Sequence, residues 1–205
     1  MTYWEFRQQF FELGCFSTHQ VYAWRPDFDR NNLTNWLKKG LLLRLRNEYF
    51  AFPEYLARPD YAKYIANRIY KPSYISLHTA LSFYGMIPEA VVQITSVTSL
   101  KTASFKNAFG EYAYRNVKSR LMFGYGARAL EDGRTFLLAE PEKALLDLLY
   151  LYPFYKDAAS LETLRLDEDF MQEEMNVERL KDYCARFACK ALDKRVNLLL
   201  KRDGL

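Results

Sequence analysis

The chain has 205 residues, 50% of them hydrophobic and 17% aromatic, enough for one large core or two small ones rich in packed rings. Its formal charge is +4: the 29 basic and 25 acidic residues divide into 11 and 7 up to Pro72 and 18 and 18 from Ser73 onward. The excess therefore sits in the first third, and no run of about 18 apolar residues exists to suggest a membrane span.

The amphipathic start, MTYWEFRQQF, does not read as a secretory leader, so a cytoplasmic protein is expected. Cys15, Cys184 and Cys189 have no CxxC spacing, and His19 and His78 lie far apart. No zinc ligand set can be assembled from them, so neither a metal nor another cofactor is expected, and the thiols read as buried and reduced.

In chain order, apolar Tyr3, Phe6, Phe10 and Leu13 have helical spacing and Gly14 stops them. Ser17 can cap a second helix, Thr18 to Trp24, ending before Pro26. Asp29 can cap a third, Arg30 to Lys39, with Gly40 as its stop. Leu41 to Arg46 and Glu48 to Phe52 read as two strands joined at Asn47. Three helices and a hairpin in this order predict a winged helix-turn-helix over residues 1–56.

Residues 57–72 read as a connector. Pro53 just before it and Pro59 and Pro72 within it break regular structure, and Tyr61 to Tyr70 can form a helix. It has no Gly/Ser-rich tether, so the flanking domains are expected to pack together. In residues 73–205, Ser76 can cap a helix that Gly85 ends, and Val91 to Val97, Glu111 to Val117 and Leu121 to Leu130 read as strands. Asp132-Gly133 marks a hairpin returning through Arg134 to Ala139, and Pro141 opens a helix to Tyr152. Leu161 to Lys201 reads as helical, with Asn176 as a cap. The predicted class is α+β: a winged helix followed by a mixed α/β domain with an antiparallel sheet and a helical C-terminus.

On the third helix, Leu33, Trp36 and Leu37 share the core side. Asn31, Thr34, Asn35 and Lys38 gather opposite, flanked by Asn32 and Lys39, with Arg30 at the N-terminal edge. Asparagine can bond adenine through two parallel hydrogen bonds, and arginine or lysine suits guanine. Three asparagines cost helix propensity, which a ligand for their amides would explain. From Arg30 to Asn47 there is no acid, and Arg44, Arg46 and Asn47 extend the basic surface onto the wing. Arg44 and Arg46, two residues apart, are expected on one strand face, contacting phosphates or the minor groove. These ten residues are the predicted contacts to double-stranded DNA. A solvated polar face is the plain alternative, and a winged helix that binds only protein is a second.

An enzyme finds little support. His19 and His78 sit in predicted helices without a glycine-rich elbow, and neither GxxxxGK[ST] nor GxGxxG occurs. Gly124-Tyr125-Gly126 suits a bulge or close packing. Glu140, Glu142, Lys143 and Asp147 cluster at one helix start, where first-turn carboxylates favour the dipole and Lys143 and Asp147 form an i,i+4 pair. Asp167 and Asp169 have a nucleotidyltransferase-like DxD spacing, but in a helix-and-loop setting with no GS loop before them.

PSYISLHTALSFYGMIPE, ITSVTSLKTASF, FGEYAYRNVKSRLMFGY and LAEPEKALLDLLYLYP, within a match from about Phe6 to Pro153, resemble the AbiEi-like antitoxins of type IV toxin–antitoxin systems. The resemblance implies an N-terminal winged helix that binds repeats in its own promoter and represses the operon. It also implies a second domain that serves in repression and in countering a nucleotidyltransferase-fold toxin in phage defence, without a stable complex. By position, it assigns DNA reading to Arg30 through Lys39 and to the wing from Arg44 to Asn47. It transfers no residues for toxin antagonism, and the chain diverges after Pro153.

Overall fold

A computed structural model describes residues Met1 to Leu205. Helix α1 (Tyr3–Phe10) begins at Thr2, whose hydroxyl accepts from the Glu5 amide while the Thr2 amide donates to the Glu5 carboxylate at 2.7 Å. One 3₁₀ turn, Phe11–Leu13, follows, and Gly14 at φ 70° ends it. Strand β1 (Cys15–Ser17) leads into α2 (Thr18–Trp24), where Ser17 and Gln20 form a second reciprocal cap. Helix α3 (Asn31–Lys38) and strands β2 (Leu43–Arg46) and β3 (Tyr49–Ala51) complete a small unit. Its antiparallel sheet has the order β1-β3-β2. The core is a ring cluster: Phe6 lies 4.7 Å from both Phe10 and Trp36 and 5.4 Å from Phe16.

A 3₁₀ turn, Pro53–Ala57, and α4 (Tyr61–Ile69) follow. The predicted connector is thus ordered, and α4 packs on the larger sheet instead of bridging solvent. Its buried Asn67 holds that sheet on both sides, donating to the Ser73 carbonyl at 3.2 Å and accepting from the Leu137 amide at 2.6 Å.

The larger unit contains β4 (Ser73–Ile75), α5 (Leu77–Phe83), β5 (Gln93–Thr98), β6 (Ala103–Asn107), β7 (Gly110–Asn116), β8 (Tyr125–Ala129) and β9 (Thr135–Ala139). Helices α6 (Pro141–Leu151), α7 (Ala158–Glu162), α8 (Val177–Phe187) and α9 (Lys190–Asp203) end the chain, which is of α+β class. The sheet order is β6-β7-β5-β4-β9-β8. It is mixed, not antiparallel as expected, because β4 pairs parallel with β9 and β5 pairs parallel with β7. Strand β4 is three residues long, too short for an alternating pattern, and it slots between β5 and β9. Ser76 does not cap α5, since its hydroxyl points instead to Asp147. The Asp132-Gly133 hairpin and the Asn176 cap form as expected, the Asn176 side-chain Oδ1 accepting from the Arg179 amide at 2.9 Å.

The two units share one continuous apolar core. At their junction the Tyr55 hydroxyl donates to the Phe11 carbonyl at 2.5 Å and the Tyr64 hydroxyl to the Leu13 carbonyl at 2.8 Å. Arg134, from the β8–β9 hairpin, donates to the Glu12 carbonyl at 2.6 Å and to the Tyr55 hydroxyl at 2.9 Å. Tyr61 stacks on Tyr55 at 4.6 Å and presses its hydroxyl into the space a side chain at Gly14 would need.

Gly14 and Gly40 have nearly equal positive φ, 70° and 68°, but a Cβ at Gly40 meets nothing within 4 Å. Gly40→Ala is expected to cost about 1 kcal/mol, the backbone penalty alone. Gly14→Ala adds a clash and should cost at least ~2 kcal/mol more in urea unfolding. Equal costs would show that the Tyr61 contact does not constrain the junction.

Candidate nucleic-acid interface

The Asp29 carboxylate accepts from the Asn31 amide at 2.9 Å and starts α3 one residue later than the sequence pattern suggests. At the other end Gly40 takes the left-handed conformation that lets the chain turn into β2. Leu33 and Trp36 are buried, and Leu37 is half-buried. Arg30, Asn31, Thr34, Asn35, Lys38 and Lys39 are exposed, with Asn32 half-buried at the flank. Arg30, Lys38, Lys39 and Arg44 enter none of the ion pairs, so their charge is directed to solvent.

The β2–β3 hairpin, the predicted wing, departs from the simple alternation. The β2–β3 register slips between Arg44, opposite Phe50, and Arg46, opposite Tyr49, which leaves Leu45 as an extra residue. Arg44 and Arg46 therefore do not share one exposed face. Arg44 is exposed, whereas Arg46 turns toward the larger unit. There its guanidinium donates to the Ile69 carbonyl at 2.6 Å and lies 4.9 Å from the Tyr70 ring and 4.7 Å from the Phe105 ring. Asn107 reinforces this side by donating to the Leu45 carbonyl at 3.1 Å. Sequence reasoning could not anticipate the bulge, because nothing in LRLR marks which residue is extra.

Helix α3 and the β2–β3 hairpin border a cleft of about 470 Å³. Arg30, Thr34, Arg44 and Asn47 line it above Leu33, Leu37 and Phe50. Asn31, Asn32, Asn35, Lys38, Lys39 and Arg46 are not among its lining residues. Glu48, which no sequence pattern singles out, also faces the cleft from a turn position at φ 69°. Its carboxylate would repel a phosphate placed directly over it, so an anion is favoured on the Arg30–Arg44 side.

Elsewhere, the Lys143–Asp147 pair is not on a solvated helix face. Lys143, Asp147, Tyr74 and Ser76 are all 0% exposed. Lys143 pairs with one Asp147 oxygen and donates to the Tyr74 hydroxyl at 2.7 Å. Tyr74 and Ser76 donate to the other oxygen at 2.9 and 2.8 Å. Burial pushes the Asp147 carboxyl up and the Lys143 ammonium down, and their mutual charge opposes both shifts. The Phe123 and Phe187 rings close over the ammonium at 5.0 and 4.9 Å. This arrangement ties β4 to α6 and has no opening for a substrate. Gly124 is required here, since a Cβ would come within 2.8 Å of the Tyr183 ring and 3.1 Å of Lys143. No group of three or more His, Cys, Asp or Glu side chains is placed to hold a metal ion. No protein-family model matches the chain, and no curated protein matches it.

Arg46→Ala should lower unfolding stability by about 1–3 kcal/mol, through removal of the ring contacts and of a charged hydrogen bond. Arg44→Ala should change it by less than about 0.5 kcal/mol. Equal effects would contradict the different settings of the two arginines. Lys143→Met leaves Asp147 buried without its counter-charge and should cost about 3–5 kcal/mol, much of which is restored by adding Asp147→Leu. If chemical denaturation finds the double variant as unstable as the single one, the pair is not the feature that matters.

Proposed function

We propose that the protein is a DNA-binding transcriptional repressor whose residues 1–56 form a winged helix-turn-helix. The observation that carries this reading is the coherent polar surface of α3, free of acids, beside a wing whose Arg44 shares a cleft with Arg30. The order helix, strand, two helices and hairpin supports it, as does the sheet order β1-β3-β2. Lys38, Lys39, Arg30 and Arg44 bind phosphates and fix the register on the duplex. Asn31, Thr34 and Asn35 reach base edges in the major groove, which admits a helix of this width. Arg46 acts indirectly, by holding the wing against α4 at a fixed angle.

On the resemblance to AbiEi-like antitoxins, the duplex is the protein's own promoter, and the larger unit counters a nucleotidyltransferase-type toxin without a stable complex. In this reading the protein is cytoplasmic and not an enzyme. The complete enclosure of the Lys143–Asp147 pair supports a structural role for the most polar part of the core.

Binding to the protein's own upstream duplex, followed by fluorescence anisotropy across a salt series, tests the reading. The joint variant Lys38→Ala, Lys39→Ala and Arg44→Ala should weaken binding on all sequences. It should also flatten the slope of log K against log salt by about 0.9 for each phosphate that the variant no longer neutralises. Asn35→Ala should relax discrimination at one position by about 1–3 kcal/mol with little change in slope. Failure of the native protein to bind this duplex at low salt would replace the repressor with a module that recognises protein.

A further inference from the structure

A second basic cleft, of about 370 Å³, lies between the end of α4, β4 and the β8–β9 hairpin. Arg68, Lys71, Ser73, Tyr125 and Thr135 line it, and no acid does. Neither cation enters an ion pair. The Arg68 guanidinium is positioned by the Tyr64 ring, 4.7 Å away. Ser73 is 4% exposed, and its hydroxyl has no hydrogen-bond partner. The neighbouring Asn67 amide bonds the Ser73 carbonyl and the Leu137 amide instead of this hydroxyl. Desolvation and, after it, the charge of Arg68 lower the Lys71 ammonium from its ordinary value. Two like charges and an orphaned hydroxyl in one concavity are all relieved by the same ligand, an anion with several acceptor oxygens.

We propose that Arg68, Lys71 and Ser73 form a binding site for the phosphate group of a small phosphorylated molecule. Arg68 offers paired N–H donors, Lys71 a point charge, and Ser73 a hydroxyl donor from the buried wall. The cleft exceeds what a bare phosphate fills and is within the range of small-ligand pockets, which leaves room for a group the size of a nucleoside. Tyr125, stacked on Tyr74 at 4.4 Å, supplies a fixed ring at its margin. None of these residues belongs to α3 or the wing, so the site stands apart from the DNA-reading proposal.

Titration calorimetry of the full chain at low salt, with inorganic phosphate, AMP and a short duplex as separate probes, tests it. Phosphate and AMP should bind the native protein, AMP the more tightly. Arg68→Gln and Lys71→Gln should each weaken both by at least about tenfold, with duplex affinity reduced far less. Ser73→Ala should weaken phosphate binding severalfold without lowering the melting temperature, since it removes a hydroxyl that bonds no other group of the protein. Gln at residue 68 keeps an aliphatic stem over Tyr64, and circular dichroism of each variant verifies folding. Three outcomes overturn the proposal: no heat with phosphate or AMP up to tens of millimolar, binding that the variants leave unchanged, or loss of duplex binding alone. The last would assign the cations to the DNA backbone.

Discussion

The placement of one tyrosine against one glycine governs how the two halves of this molecule meet. Gly14 ends the first helix with a left-handed turn, and the space where its side chain would stand is taken by the Tyr61 hydroxyl. Tyr55 stacks beneath Tyr61, and Arg134 reaches across from the larger sheet to the same tyrosines and to the Glu12 carbonyl. Most of these contacts use a main-chain carbonyl or a stacked ring, groups held in place by the backbone and the packing around them. The junction is therefore specified by backbone geometry more than by exposed charge pairs, which contribute little in water.

A second anchor, Arg46, fixes the β2–β3 hairpin from the opposite side. Together the two anchors turn β2 toward the larger sheet and leave α3 on the outside, with its polar residues exposed and its Leu33 and Trp36 inside. For the proposed DNA-binding role this rigidity is an advantage: a helix on a loosely strung domain loses orientational freedom on binding, whereas one already fixed has less to lose. The buried Lys143–Asp147 group extends the same logic into the larger unit, where it ties the three-residue β4 to α6. The next residue after Ser76, Leu77, adopts φ 60°, a conformation that costs a bulky side chain of order 1–2 kcal/mol. The surrounding packing holds it there, with the Ser76 hydroxyl directed at Asp147.

Helices and turns with local chemistry are legible in the sequence: Ser17 with Gln20, Gly40 after α3, Asp132-Gly133 and Asn176 all act where composition places them. So is the inward face of α3, because three apolar residues at helical spacing leave one solution. Non-local features are not. The parallel partners of β4 and β5 depend on crossovers that no short window contains, and β1 and β4 have only three residues each. The burial of Lys143 is hidden because its partner Tyr74 is 69 residues away. Among the candidate contacts, the exposed polar face of α3 matches its pattern, while a single bulged residue moves Arg46 off the face that alternation assigns it. Glu48 escapes notice because a turn residue's direction follows from its backbone angle, which the sequence does not display.

Amide hydrogen exchange of the full chain, with and without an upstream duplex, tests the central claim most directly. Duplex-dependent protection confined to residues 30–39 and the turn at Asn47–Glu48, with the β6–β7 hairpin unchanged, is the expected result. Protection that falls instead on α8, α9 or the outer face of the larger sheet, with α3 exchanging as in the free protein, would contradict it.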